Sequence, residues 1–174
     1  MPVPGAPRAA SEAAALSFAG GGVRVCVLRL AASVHSDADK RGFVPSLITI
    51  ARAKGVSAYV GDGFSRWPAV HQLDAAQLFR LALEAAPAAA HLHAVGDEGV
   101  PLGDIASVIG RHLNLPVTAI SPQEADGHFS WLARFVSIDN PTSSTLTQKQ
   151  LGWHPMHPGL IADLEAGHYF SEDA

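Results

Sequence analysis

The sequence predicts an α/β fold with parallel strand pairing, and three observations predict it. Short apolar, β-branched runs alternate with helical stretches along all 174 residues. The first such run, Val23 to Leu30 (VRVCVLRL), is near-continuously apolar, as inner strands covered on both faces are. The third observation is the stretch Gly61 to Asp74 (GDGFSRWPAVHQLD), which reads as a tight turn, an extended segment and a helix start.

Taken in order, Met1 to Pro7 is rich in Pro and Gly and reads as extended or unstructured. Arg8 to Ala19 is an Ala-rich helix closed by Gly20-Gly21-Gly22, and the strand Val23 to Leu30 follows. Ala31 to Arg41 reads as a polar loop holding Ser33 and His35. Phe43 to Lys54 returns to helical spacing, with Val44, Leu47, Ile48 and Ala51 on one face and Gly55 ending it. Val56 to Val60 is a short strand leading into the central motif.

In that motif Gly61 and Gly63 allow the turn, and Pro68 biases Trp67 toward an extended conformation. Asp74 is expected to cap the next helix, with Gln77 three residues on as in a capping box. Ala75, Leu78, Phe79, Ala82 and Ala86 then share one apolar face. His91 to Val95 is a strand, and Pro101 suits the first turn of a helix carrying the stripe Leu102, Ile105, Ile109 and Leu113. Pro116 to Ile120 is another strand, and Ser121 to Glu124 opens a helix. Leu146 to Leu151 is a short helix ended by Gly152, and Pro158 to Ala166 forms the last one.

Composition bounds the function. The chain is 48% apolar and 16% charged, consistent with one globular domain over residues 1–174. A net charge of −4 leaves no electrostatic footprint for nucleic acid. No apolar run is long enough for a membrane span and no signal peptide is visible, so a cytoplasmic location is expected. Cys26 stands alone in an apolar run and reads as a small buried hydrophobe.

Nine histidines raise the question of a metal. His91 with His93, and His154 with His157, lie close in sequence, but no H-E-x-x-H or second cysteine completes a ligand set. No metal site is expected. No G-x-S-x-G nucleophile elbow occurs either. Phe129, Trp131 and Phe135 read as core or pocket wall. His71 stands three residues before Asp74, and the pair is expected to be structural, the imidazole fixing the turn. Arg66 and Trp67 are candidates for a substrate pocket, the arginine gripping an anion and the indole stacking.

The motif G-D-G, an aromatic and then V-H-x-x-D-A-A resembles the substrate-side signature of the extended and atypical short-chain dehydrogenase/reductases, the NAD-dependent epimerase/dehydratase family. Arg29-Leu30 followed by Val34-His35 is similar to that family's R-P-x-x-V-Y-G, with His35 at the usual tyrosine. Leu151-Gly152-Trp153-His154-Pro155 is similar to its late L-G-W-x-P, in which the Trp packs under the final helix. The resemblance implies the C-terminal half of a Rossmann-like parallel sheet with a small substrate-side α/β subdomain. It also implies NAD or NADP as cofactor, touched by Leu30, Ala31, Ala32, Ser33 and His35. A small-molecule substrate would then be held by Arg66, Trp67 and His71.

The departures from the family are chemical. No G-x-x-G-x-x-G turn is present to place backbone amides on a pyrophosphate, and Gly20 to Gly22 precedes a strand where the cradle would follow one. The family's catalytic Y-x-x-S-K corresponds to Arg8-Ala9-Ala10-Ser11-Glu12, so the tyrosine and the lysine are both replaced. No catalytic residue is assigned, and dinucleotide binding by these residues alone is expected to be weak or absent. Three expectations stand open: an atypical oxidoreductase or epimerase whose dinucleotide half is encoded upstream, a non-catalytic small-ligand-binding module, and a truncated product without activity. Self-association through the edge of strand 23–30 is expected as well.

Overall fold

The computed structural model describes residues 7–171. In chain order the elements are α1 (Pro7–Leu16), β1 (Val27–Leu30), β2 (Ser33–His35), α2 (Phe43–Lys54), β3 (Ser57–Val60), β4 (Arg66–His71) and α3 (Gln72–Ala85). There follow β5 (His91–Ala94), β6 (Asp97–Pro101), α4 (Leu102–Leu113), β7 (Val117–Ile120), α5 (Ala125–Phe129), α6 (Ala133–Val136), α7 (Thr145–Leu151) and α8 (Leu160–Glu165).

The expected α/β class with parallel pairing is what the chain adopts. β1 pairs β5 in parallel, from Val27 opposite His91 to Leu30 opposite Ala94. β2 pairs β4 in parallel and β3 pairs β7 in parallel. β6 joins β4 antiparallel, with a shift in register between Trp67 and Ala69. The largest apolar cluster joins α2, α4, α5, α6 and α8 over β3 and β4, with Trp67, Ile105, Leu132 and Leu160 among its members. A second cluster, with Val70, Leu78, Ala94 and Trp153, lies beneath α3 against β5.

Several expectations are corrected. The first strand starts at Val27, not Val23, because Arg24 is drawn off to cap the end of α3. Its guanidinium donates to the carbonyls of Ala82 at 3.1 Å and Ala86 at 2.9 Å, and also to that of Leu83. Cys26 is half-buried rather than buried. The supposed loop Ala31 to Arg41 contains β2, a strand of three residues, too short to show a period of two. β6 escaped notice because Asp, Gly and Pro are poor strand formers, yet its backbone completes the ladder on β4.

The start of α3 differs in a way that matters for the site. Its cap is His71, whose Nδ1 accepts the Leu73 N–H at 3.2 Å, and Asp74 lies within the first turn of the helix. Phe79, expected on the buried face of α3, is 47% exposed. Ser121 and Glu124 do bond, Ser121 N–H and Oγ both donating to Glu124 Oε2, but they close a turn ahead of α5. The last helix opens at Leu160, whose N–H donates to Asp97 Oδ2 at 2.7 Å. The extended reading of Met1 to Pro7 falls outside the described residues except at Pro7, which opens α1.

Candidate functional site

Ligands of open α/β sheets sit at the carboxyl ends of the strands. At that end of β1 the chain turns through Leu30, Ala31, Ala32 and Ser33 into β2. Leu30 is 45% exposed, Ala31 is buried, Ala32 is half-buried, and the buried Ser33 hydroxyl has no hydrogen-bond partner among the described residues. Leu30 is the one exposed side chain of the four, and the Ser33 hydroxyl faces the interior. Nothing at this turn fits the pyrophosphate, since the glycines 20–22 lie before β1.

His35 does not line that turn. It is fully buried, and its Nδ1 lies 2.9 Å from Asp163 Oδ2 of α8, while Nε2 is buried without a partner among the described residues. The strand period turns Ser33 and His35 to the interior together, so the position of the family's tyrosine becomes an interior anchor for α8.

Arg66 and Trp67 leave β4 on opposite faces. Arg66 makes a two-pronged contact with Asp139, Nε to Oδ1 at 2.9 Å and Nη2 to Oδ2 at 2.7 Å, and its backbone N–H also donates to Oδ1 at 3.0 Å. The pairing raises the arginine above its ordinary pKa and holds the Asp139 carboxyl below the usual carboxylate range. Trp67 is buried, donates its indole N–H to the Phe135 carbonyl at 2.9 Å, and packs on Phe43 at 5.2 Å. Burial corrects the expectation that its ring stacks on substrate. Trp131 and Phe135 carry the exposed aromatic surface nearby, at 59% and 44%.

His71 enters a cluster that the sequence did not show. Its ring stacks on His157 at 4.6 Å and meets His35 edge-on at 5.5 Å. Asp74 pairs with His157, not with His71: Oδ1 lies 2.8 Å from His157 Nδ1, and the carboxylate also accepts the N–H groups of Met156 and His157 at 3.0 Å each. Burial works to raise the Asp74 carboxyl, but those donors outweigh it and leave it below its ordinary value. Burial, with His35 and His157 alongside, pushes His71 below the ordinary imidazole value against the opposing pull of Asp163 and Asp74. Around these side chains, with Asp97, Gly96 and Gly159, lies a cavity of about 170 Å³. A Cβ at Gly159 would come within 2.7 Å of Asp97 Oδ1, so a larger residue there would displace that carboxylate.

The residues at the family's tyrosine and lysine positions are otherwise engaged. Arg8 is exposed on α1, and Glu12 accepts from Arg29 of β1 at 3.1 and 2.7 Å. Arg29 holds the Glu12 carboxyl below its usual value. Among the described residues no three His, Cys, Asp or Glu side chains converge as metal ligands do, and no helix is long and apolar enough to cross a membrane. Asp163, Asp97 and Asp139 carried no signal in the sequence, and His157 stood out there only as a metal ligand to be weighed. The spacing of 83 residues between Asp74 and His157 offers no local signal.

No protein-family model matches the chain. An uncharacterized protein of Schizosaccharomyces pombe is 51% identical over 170 residues, covering 98% of this chain and 57% of the relative. An uncharacterized protein of Saccharomyces cerevisiae is 48% identical over 161 residues, covering 92% of this chain and 54% of the relative. The chain thus spans about half the length of the curated relatives it matches.

Among solved structures, a dTDP-glucose 4,6-dehydratase from Streptomyces venezuelae with NAD bound superposes with a TM-score of 0.69 at 16% identity, covering 92% of this chain and 48% of that one. A UDP-N-acetylglucosamine 4-epimerase from Methanobrevibacter ruminantium gives 0.67 at 14% identity, covering 92% and 50%. RMD from Pseudomonas aeruginosa, solved with NADPH, gives 0.61 at 15% identity, covering 91% and 54%. The chain has their Rossmann-like fold. It matches about half of each.

Proposed function

We propose that the chain forms the substrate side of an NAD(P)-dependent oxidoreductase or epimerase of the atypical short-chain dehydrogenase/reductase kind. In this reading residues outside these 174 hold the pyrophosphate of the dinucleotide. The observation that carries the reading is the parallel β1–β5 pair, whose carboxyl end opens into the small-residue turn Leu30, Ala31, Ala32 and Ser33. Support comes from the match to about half of enzymes solved with NAD or NADPH. Leu30 to Ser33 line the nicotinamide end, and His35 acts behind them by fixing β2 to α8. Arg66 meets an anionic part of a small-molecule substrate by exchanging Asp139 for it, and His71 meets the substrate at the other end of β4.

A second reading, a non-catalytic ligand-binding module, is favoured by one observation. Glu12, at the lysine position, is tied to Arg29 and supplies nothing that would lower a phenol's pKa. Titration with nicotinamide mononucleotide, followed through backbone amide shifts, separates the two. The first reading expects shifts at Ala31, Ala32 and Ser33. Shifts confined to the cavity around His157, with none at that turn, would reject it in favour of the module.

A further inference from the structure

Three imidazoles from three parts of the chain meet at the start of α3, and they are not equivalent. His35 of β2 has the Asp163 carboxylate at its Nδ1, 2.9 Å away, and His157 has Asp74 at 2.8 Å. Each of these rings has a carboxylate to accept an Nδ1–H. The Nδ1 of His71 instead accepts the Leu73 N–H, which requires a lone pair there and therefore the neutral ring in its Nε2–H tautomer. No carboxylate lies within hydrogen-bonding distance of His71 among the described residues. Its ring also stands at the N-terminus of a 14-residue helix, where the macrodipole disfavours a cation.

We propose that His71 is an acid-sensitive cap, whose protonation undoes the first turn of α3 and releases the C-terminal segment latched to it. Protonation turns Nδ1 from acceptor into donor, facing the Leu73 N–H that it had satisfied. The groups around it decide the balance. His35 and His157 face it with like charge when protonated, whereas Asp74 and Asp163 attract it, with Asp97 across the cavity and His168 3.8 Å behind Asp163. The two carboxylates are already engaged by His157 and His35, and Asp74 by two backbone amides as well.

The latch is local to this turn. Asp74 holds Met156 and His157 through its carboxylate, and its carbonyl accepts the indole N–H of Trp153 at 3.0 Å. Once the first turn of α3 frays, Trp153, fully buried in the native chain, loses that partner. The histidine-lined cavity then opens along residues 153–159. The direction follows from linkage. A histidine whose folded pKa lies below its unfolded value stabilises fully above the unfolded value, and that stabilisation is lost as pH falls below it. The ordinary value is 6.5, so the transition falls below neutrality.

Hydrogen exchange of the Leu73 amide and Trp153 indole, normalised for intrinsic rates, tests the proposal. Between about pH 7.5 and about pH 5 the protection of both sites is expected to fall about tenfold or more in the natural chain. His71→Asn keeps a capping acceptor that does not titrate, and is expected to hold protection within about twofold over the same range. An equal loss in His71→Asn, or no loss in the natural chain, overturns the proposal. Should the variant fail to fold, an NMR titration of the His71 ring in the natural chain decides. A midpoint at or above the ordinary 6.5 overturns it, and a lower one supports it.

Discussion

His157 Nδ1 lies 2.8 Å from Asp74 Oδ1, so a residue of the C-terminal segment partners the carboxylate expected to serve its own helix. Asp74 is nearly inaccessible and accepts from two backbone amides as well. Asp74→Ala would leave both amides and the imidazole unpaired, at a cost of about 3 kcal/mol. Urea unfolding of the variant should show a clearly lowered midpoint. Because the folded carboxyl sits below its ordinary 3.8, its stabilisation is complete above that value and lost as pH falls through the lower folded one. Acid unfolding of Asp74→Asn should accordingly begin from a lower plateau and fall less steeply.

The class of fold was legible because its signals are local. Helical stripes such as Val44, Leu47, Ile48 and Ala51, and runs such as Val27 to Leu30, survive in any context. What stayed hidden depends on partners far along the chain. β2 and β6 exist because β4 lies between them, and neither carries a strand signature of its own. The site follows the same rule. His71 and Arg66 were visible in the central motif, but His157, Asp163 and Asp139, which decide their states, lie 73 or more residues further along the chain.

Arg24 was expected inside a strand, and its actual position makes a second prediction. One guanidinium satisfies the carbonyls of Leu83 and Ala86, groups that a helix end otherwise leaves to water, and shares that of Ala82 with the Ala86 N–H. Arg24→Ala should cost about 1–2 kcal/mol, and Arg24→Lys, with a single ammonium, should recover only part of it. Thermal melts of the two variants against the natural chain measure this. Equal stability of all three would show the contact to be idle.

A third prediction concerns the dinucleotide. In the proposed reading the turn Leu30 to Ser33 meets a nicotinamide, but the glycines that would bring backbone amides to a pyrophosphate lie on the wrong side of β1. Calorimetry should find NAD and NADP bound by these 174 residues no more tightly than nicotinamide mononucleotide. A micromolar dissociation constant for either dinucleotide, about −8 kcal/mol, would reveal a phosphate site elsewhere in the chain.

The last prediction comes from the open edge of β1. The Val27 and Ala31 N–H groups both donate toward β5, to the carbonyls of Ala90 and Ala94. In a parallel ladder alternate residues face opposite neighbours, so the polar backbone groups of Leu28 and Leu30 point the other way. No strand pairs there among the described residues. An unpaired apolar edge is a template for a second chain. Light scattering at high concentration should therefore show species larger than a monomer. Val27 is the wrong place to block this, since it is only 8% exposed and a lysine there would cost the core. Leu30 is 45% exposed, and Leu30→Pro removes one donor from the open edge while sparing every bond to β5. The variant should be smaller in solution and lose less than about 1 kcal/mol of stability. If the natural chain is a monomer under those conditions, the edge is covered, and the pairing argument fails at its first step.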